Sequence, residues 1–444
     1  MIILISDLHL SDGTTAANIS PEAFTLLQNE INSSFEENKA KELHLVLLGD
    51  IFDLVRTDFW IKDVRPEDRP WNGTFNQQTF MFENANDEEN YRSVLKRIFE
   101  NKNKSSEAFI NMINELRNKY QDKFRITYVT GNHDLAFNCY DALKDDLIEK
   151  IPFMTRDDFK HIVYEPGYAL LARHGNEWDE DCFSFDFYNK VLRNGADELE
   201  RFDERLYKIT SIGEVITAEF MSGLLYYIRK ELDENKPDDM NFYESIKDLN
   251  NIRPMTLSFH WLSWFLEGNP QFEKYNRLLE QALLLASKGV YDCKLGKLWD
   301  SIKLWDKTDL FWWIHSIVKF GHNGLLNYVT DHLKGLIKDD EDKYLHGAES
   351  EFEKYENINY VFYGHTHNAL HRFVSGKAAG ESKMYINTGT YLPFIEKGIN
   401  DSFAGAYQMT IAAVFQRDED KTHGKENSYP TLELWNGVKR KIYK

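Results

Sequence analysis

The sequence predicts a layered α/β fold. Three observations carry this reading. Short apolar runs rich in β-branched and aromatic residues recur at 1–6, 43–48, 126–129, 169–172 and 360–363, as core strands do. Stretches with helical spacing lie between them, as at 21–32 and 108–120. Each apolar run stops at a polar motif, and alternation of strand and helix places such motifs on loops at one end of the sheets.

The elements follow in order. Met1 to Ile5 is too short for a secretory leader and runs directly into Asp7, so it reads as the buried first strand of a cytosolic protein. Residues 54–122 begin with charged, proline-containing text, Lys62 to Pro70, before turning helical. A longer stretch, 179–355, is helical in pattern and holds six of the ten tryptophans between Trp261 and Trp313. Leu257, Trp261 and Phe265 recur at i, i+4 and i+8, on one helix face. This predicts a bundle that buries its tryptophans against itself, capping the polar motifs with a few aromatics turned toward them. The acidic run 339–356 reads as a solvated face or linker. Strands return at 384–386, followed by a turn at 387–390 and a C-terminal hairpin from 412–416 and 431–435. The domain reading is a core in two parts, 1–178 and 356–444, interrupted by a mainly helical insertion or cap, 179–355.

Composition narrows the function classes. A net charge of -19 disfavours loose binding along nucleic acid, whose affinity comes from Lys and Arg at phosphates, though a local basic groove remains compatible. Cys139, Cys182 and Cys293 are widely spaced and form no CxxC pair, which fits a reducing compartment without disulfides. No stretch is long enough for a transmembrane helix; the most apolar, Leu310 to Val318, meets Lys319.

Five motifs carry the chemistry: Asp7-Leu8-His9, Gly49-Asp50-Ile51-Phe52-Asp53, Gly131-Asn132-His133-Asp134, His174-Gly175 and Gly364-His365-Thr366-His367. Together they supply oxygen and nitrogen donors of the kind divalent metals take, and a pair of ions activates water and clamps a phosphate. Asp7 and His9, two apart, share a face if the backbone stays extended. Asp50 is a carboxylate able to bridge two cations. Asn132 adds a neutral oxygen, and His174, His365 and His367 add imidazoles. His133 is the candidate non-ligand histidine that protonates a leaving group, with Asp53 orienting it. Asp53 and Asp134 could equally cap a helix or bind backbone amides. Any one of these motifs alone would read as a polar strand end or a turn; five in order do not. His260, His315, His322, His332 and His346 lack ligand spacing and read as ordinary, while His371 lies close enough to the last motif to reach a substrate.

These five blocks, in this order, resemble the pattern DxH, GDxxD, GNH[DE], lone His and GHxH of the calcineurin-like metallophosphoesterase superfamily. The resemblance covers about 1–178 and 356–444 and leaves 179–355 aside. It implies a four-layer α-β-β-α sandwich carrying a large helical insertion. It also implies two divalent ions, manganese in the first place, with iron or zinc as the other family choices. Asp7, His9, Asp50 and His367 would hold one ion; Asp50, Asn132, His174 and His365 would hold the other. A bridging hydroxide would attack phosphorus in line, with His133 at the leaving oxygen and Asp53 behind it.

Departures sharpen the expected substrate. Protein Ser/Thr phosphatases of the superfamily carry Arg directly after the second Asp of GDxxD; here it is Leu54. The lipid A enzymes that cleave UDP-diacylglucosamine are similar in Asp7-Leu8-His9-Leu10 and His174-Gly175 and carry an inserted helical lid, yet have Arg where His133 stands and a much shorter lid. Superfamily DNA-repair nucleases share the GDxFD and GNHD spellings but usually lack such an insertion. The leading expectation is hydrolysis of a phosphodiester or pyrophosphate bond in a nucleotide or nucleotide-linked substrate. The alternative is a metal-dependent DNA or RNA nuclease. A phosphomonoesterase and a non-catalytic scaffold rank below both.

Overall fold

The computed structural model describes residues 1–253, 257–300, 342–376, 382–400, 402–420 and 429–441. Leu310 to Val318, the tryptophans beyond Trp299 in the insertion, and His315, His322 and His332 lie outside them. The chain is mixed α/β with two large sheets and a small hairpin. The strands are β1 (Ile2–Ile5), β2 (Leu43–Leu48), β3 (Thr74–Asn76), β4 (Met81–Glu83), β5 (Phe124–Val129), β6 (Phe159–Lys160), β7 (Val163–Glu165), β8 (Leu170–Ala172), β9 (Tyr360–Tyr363), β10 (Leu370–Ser375), β11 (Lys383–Asn387), β12 (Pro393–Lys397), β13 (Phe403–Phe415) and β14 (Thr431–Lys441).

The seven-stranded sheet runs β12-β13-β1-β2-β5-β6, with β14 also on β13. Within it β1, β2, β5 and β6 are parallel, and β13 joins β1 antiparallel. The five-stranded sheet runs β10-β11-β9-β8-β7, with β8, β9 and β11 parallel. Side-chain alternation along β1 shows how the sheets stack. Ile2 and Leu4 enter an apolar cluster with Leu170 and Ala172 of β8, Phe362 of β9 and Ile386 of β11. Ile3 and Ile5 point the other way, into a cluster with Phe24, Leu27 and Ile31 of the helix Glu22–Glu37. On the far side of the five-stranded sheet, Tyr344, Ala348 and Phe352 of the helix Asp342–Lys354 meet Leu171, Val361 and Tyr385.

That last helix is the acidic run expected to be a solvated face or linker. Its acidic residues do face water on one side. Its apolar stripe at 344, 348 and 352 recurs every four residues and covers the sheet, so it is part of the core. Glu351 on the buried side is matched by Arg173 at 2.7 Å. His346 is exposed and pairs with Glu349.

The described helices of 179–300 differ from a self-contained bundle. Phe187, Val215, Leu225, Phe242, Trp261, Leu283 and Trp299 belong to the same apolar cluster as Ile3, Leu45 and Trp60. The expected face on the helix Ser258–Gly268 is buried, with Trp261 and Phe265 stacked at 5.0 Å between ring centroids. The 54–122 segment holds the β3–β4 hairpin, which its charged text concealed. It is pinned to the inserted helices by Arg69 and Trp71, both donating to buried Glu219. Among the described residues no helix is long and apolar enough to cross a membrane.

Glu214 makes a prediction. It is buried at the N-terminal turn of the helix Ile212–Val215, where it accepts from the Ser211 backbone and hydroxyl. Burial pushes its carboxyl up to about 8, far above its value in an unfolded chain. The folded state therefore holds a proton that the unfolded state releases, and stability falls as pH rises from about 4.5 to about 8. Denaturant titrations of Glu214→Gln should show this part of the pH dependence flattened, with the variant the more stable protein at pH 8.

Candidate metal centre

All five motifs stand at the C-terminal ends of parallel strands. β1 leads to Asp7 and His9, β2 to Asp50 and Asp53, and β5 to Asn132 and His133; from the other sheet, β8 leads to His174 and β9 to His365 and His367. Beyond the last regular pair the chains stay zipped. Asp7 N–H donates to Gly49 O at 3.0 Å, His9 N–H to Asp50 O at 2.9 Å, and Gly364 N–H to His174 O at 2.7 Å.

The side chains do not converge through the extended alternation expected for Asp7 and His9. Both residues are left-handed, with φ of 51° and 45°, and so are Asp50 (53°), His365 (67°) and His367 (63°). Such values are uncommon for non-glycine residues, each costing about 1–3 kcal/mol. They reverse the local side-chain direction while the backbone keeps its neighbours.

Four overlapping donor groups result among the described residues: Asp7, His9 and His367; Asp50, His174 and His365; His9, Asp50 and His133; and Asp179, Cys182 and His365, each with its donor atoms within 4.8 Å of one another. His9 Nε2 and His367 Nε2 face each other at 2.8 Å, and His367 Nε2 is 3.5 Å from Asp7 Oδ1. Asp50 Oδ2 lies 3.7 Å from His9 Nε2 and 3.3 Å from His174 Nε2. Asn132 Oδ1 and His174 Nε2 are buried and make no hydrogen bond. The His174 ring is oriented by Nδ1–H donating to Leu48 O at 2.8 Å, which turns Nε2 toward Asp50. His365 Nε2 is 3.4 Å from Asp179 Oδ2, leaving Nδ1 as its other donor atom. Asp53 touches two histidines, His9 Nδ1 at 2.9 Å and His133 Nδ1 at 3.0 Å, and so sets the Nε2 atoms of both outward. His133 retains slight exposure, 8%, while Asp7, His9 and Asp53 have none.

The electrostatics follow from burial. Burial, with Asp50 nearby, pushes the Asp7 carboxyl up to about 7. For Asp50 burial acts in the same direction, but His174, His133 and His9 override it and hold the group well below the usual carboxylate range. Burial likewise opposes ionisation of Asp53, and His133 and Arg56 prevail. His174 loses to burial but gains more from Asp50 and rises to about 10; the position favours positive charge. Burial keeps His9, lowered to about 3, and His365 and His367 in the neutral form that ligates metals. The orphaned donors, the neutral imidazoles of His9, His365 and His367 and the buried carboxylates could hold a metal ion.

Glycines make room for this packing. Gly49 has φ +84°, and a Cβ there would fall inside the His174 ring; a Cβ on Gly131 would meet Asp50, and one on Gly364 would meet Asp7. Asp134 does not face the ligands. It accepts from Ile51 N–H at 2.9 Å and from the Tyr128 hydroxyl at 2.6 Å, so its role is to tie two motif loops together. His371 is exposed on β10 and lines a separate surface cavity of about 560 Å³ with Phe373, Met384 and Tyr429.

Several residues of the site escape motif reading. The turn 387–390 braces it from beneath: Thr390 Oγ1 donates to Asp7 O at 2.7 Å, and Asn387 Nδ2 to Gly364 O at 2.6 Å. Arg56 Nε lies 3.3 Å from Asp53 Oδ2. Arg253 Nη2 is 2.7 Å from His367 Nδ1; burial and Arg56 pull this guanidinium down to about 9. Asp179 and Arg253 come from the insertion and carry no sequence signature; the one available hint was Arg56, three residues after Asp53.

No family model matches the chain, and no curated protein matches it. The packing predicts that Gly49→Ala, which combines a left-handed backbone with a clash against His174, loses about 3 kcal/mol or more of stability. Chemical denaturation checks this; a loss under 1 kcal/mol would contradict the close approach.

Proposed function

We propose that the chain is a two-metal phosphoesterase of the calcineurin-like type, acting on a phosphodiester or pyrophosphate bond in a nucleotide or nucleotide-linked substrate. The observation that carries this reading is the position of Asp50. One carboxylate oxygen faces His9 and His174 together, the arrangement required of a bridge between two ions. The stacking of the helix Glu22–Glu37, the seven-stranded sheet, the five-stranded sheet and the helix Asp342–Lys354 agrees with the four-layer sandwich that the motifs imply.

Asp7, His9, Asp50 and His367 would hold one ion, and Asp50, Asn132, His174 and His365 the other. Manganese is the ion we assign first, with iron or zinc as the alternatives. Such a pair supplies Lewis acidity toward a phosphoryl oxygen and lowers the pKa of water. The protein's own part is positional. Asp53 holds His133 by Nδ1, so Nε2 is the atom available to give a proton to the leaving oxygen. Asp179 and Leu48 O fix the rings of His365 and His174. The absence of an arginine at position 54, together with the contacts that the insertion's Asp179 and Arg253 make to the site histidines, favours a diester or pyrophosphate over a protein phosphomonoester.

Manganese-dependent hydrolysis of bis(p-nitrophenyl) phosphate and of p-nitrophenyl phosphate tests the reading. The diester is expected to be cleaved faster, and Asp50→Asn should lose about 10³-fold or more in activity and one of two metal equivalents by elemental analysis. A metal-replete protein inert on both compounds would sink the proposal. His133→Ala is expected to lower kcat by about 10²–10⁴-fold while both metals stay bound; a matching loss of metal would make His133 a ligand instead.

A further inference from the structure

We infer that Arg56 and Arg253 form a two-guanidinium clamp beside the candidate metal centre that holds a second, non-scissile phosphoryl group. The substrate would then be of the pyrophosphate class rather than a simple diester. This rests on the phosphoesterase reading and specifies its substrate.

The two arginines reach the site from different parts of the chain. Arg56 follows the β2 motif and is 4% exposed; its Nε pairs with Asp53, while its Nη1 is buried with no hydrogen-bond partner. A buried guanidinium nitrogen without an acceptor is costly, and an arginine kept in this state beside a ligand cluster points to an anion that completes it.

Arg253 belongs to the insertion. A bridge between Ile252 and Ile395, with Arg253 N–H donating to Ile395 O at 2.9 Å, pins its backbone to β12. Its Nη1 donates to Asn250 O and Ile252 O, at 3.0 and 2.8 Å, and its Nη2 reaches His367. Among the described residues no carboxylate forms an ion pair with Arg253. Its head group is therefore fixed in direction, and the carboxylates that act on it are Asp7, Asp50 and Asp53 of the centre itself.

Charge balance selects the ligand. Two guanidiniums add two positive charges beside the carboxylates Asp7, Asp50, Asp53 and Asp179. A diester brings one negative charge to that pair. A pyrophosphate linkage carries a second anionic group on the phosphorus next to the scissile one. Arg56 meets the centre through Asp53 and Arg253 through His367, and both of those residues contact His9.

Steady-state kinetics with P1,P2-di(adenosine-5′) pyrophosphate and bis(p-nitrophenyl) phosphate test this on manganese-loaded full-length protein whose metal content has been measured. Wild type should favour the pyrophosphate. In Arg253→Gln the ratio of the two kcat/KM values should fall about tenfold or more, and Arg253→Lys should restore part of it. Calorimetry adds a readout independent of turnover. Inorganic pyrophosphate should bind wild type at least about tenfold tighter than inorganic phosphate does, and Arg253→Gln should abolish that preference. Parallel loss on both substrates, with the ratio unchanged, overturns the clamp, as does an unchanged preference for pyrophosphate in the calorimeter. A wild type that holds its metals but cleaves neither compound overturns the phosphoesterase reading instead; a pyrophosphate preference lost in Arg253→Gln would then still support the clamp.

Discussion

Burying Asp7, Asp50 and Asp53 together is the constraint on which the rest of this molecule depends. Carboxylates withdrawn from water cost several kcal/mol each unless something positive or hydrogen-bonding meets them. The surroundings supply both. His133 N–H donates to Asp50 at 2.8 Å, His365 N–H to Asp7 at 3.0 Å, and the backbone N–H of Arg56 to Asp53 at 2.8 Å. Imidazoles then approach the remaining lone pairs from both sheets. The outcome is unequal: burial drives Asp7 toward its neutral form, while His174, His133 and His9 hold Asp50 ionised.

That compensation explains the backbone. Five candidate ligands sit in the left-handed region, a cost that propensity would never choose. The strain is held by elements that have no other way to end. β1 and β2 continue their parallel hydrogen bonding through Gly49, Asp50 and Ile51, so the chain kinks at alternate residues rather than leaving the sheet.

Much of this was readable in advance, and the reason is physical. Core strands such as Leu43–Leu48 and Tyr360–Tyr363 are buried on both faces and therefore spell out as mostly apolar runs, with His44 the one polar residue of the first. Motif residues were visible because a strand end exposes a fixed spacing of donors. What stayed hidden depends on tertiary contact. Strand β6 and the strands of the β3–β4 hairpin are only two and three residues long, too short to show an apolar pattern. Asp179, Arg253 and the brace at Asn387–Thr390 act through partners far away in sequence. The left-handed conformations were unreadable because they arise from neighbouring loops, not from the Asp and His residues themselves. The sheet-covering face of the helix Asp342–Lys354 stays hidden because its charges outnumber the few apolar residues that meet the sheet.

The placement of Asp179 and Arg253 bears on inheritance. Both histidines of the Gly364-His365-Thr366-His367 motif have polar contacts to the insertion, His365 with Asp179 at 3.4 Å and His367 with Arg253 at 2.7 Å, and the inserted helices share their apolar interior with the first sheet. Such a segment is not a detachable cassette. Excising it would strip both histidines of a neighbour and open the core to water, so the segment and the strands beneath it can diverge only in concert. In a lineage of such chains, changes around Arg253 and around His367 should therefore be found together rather than apart.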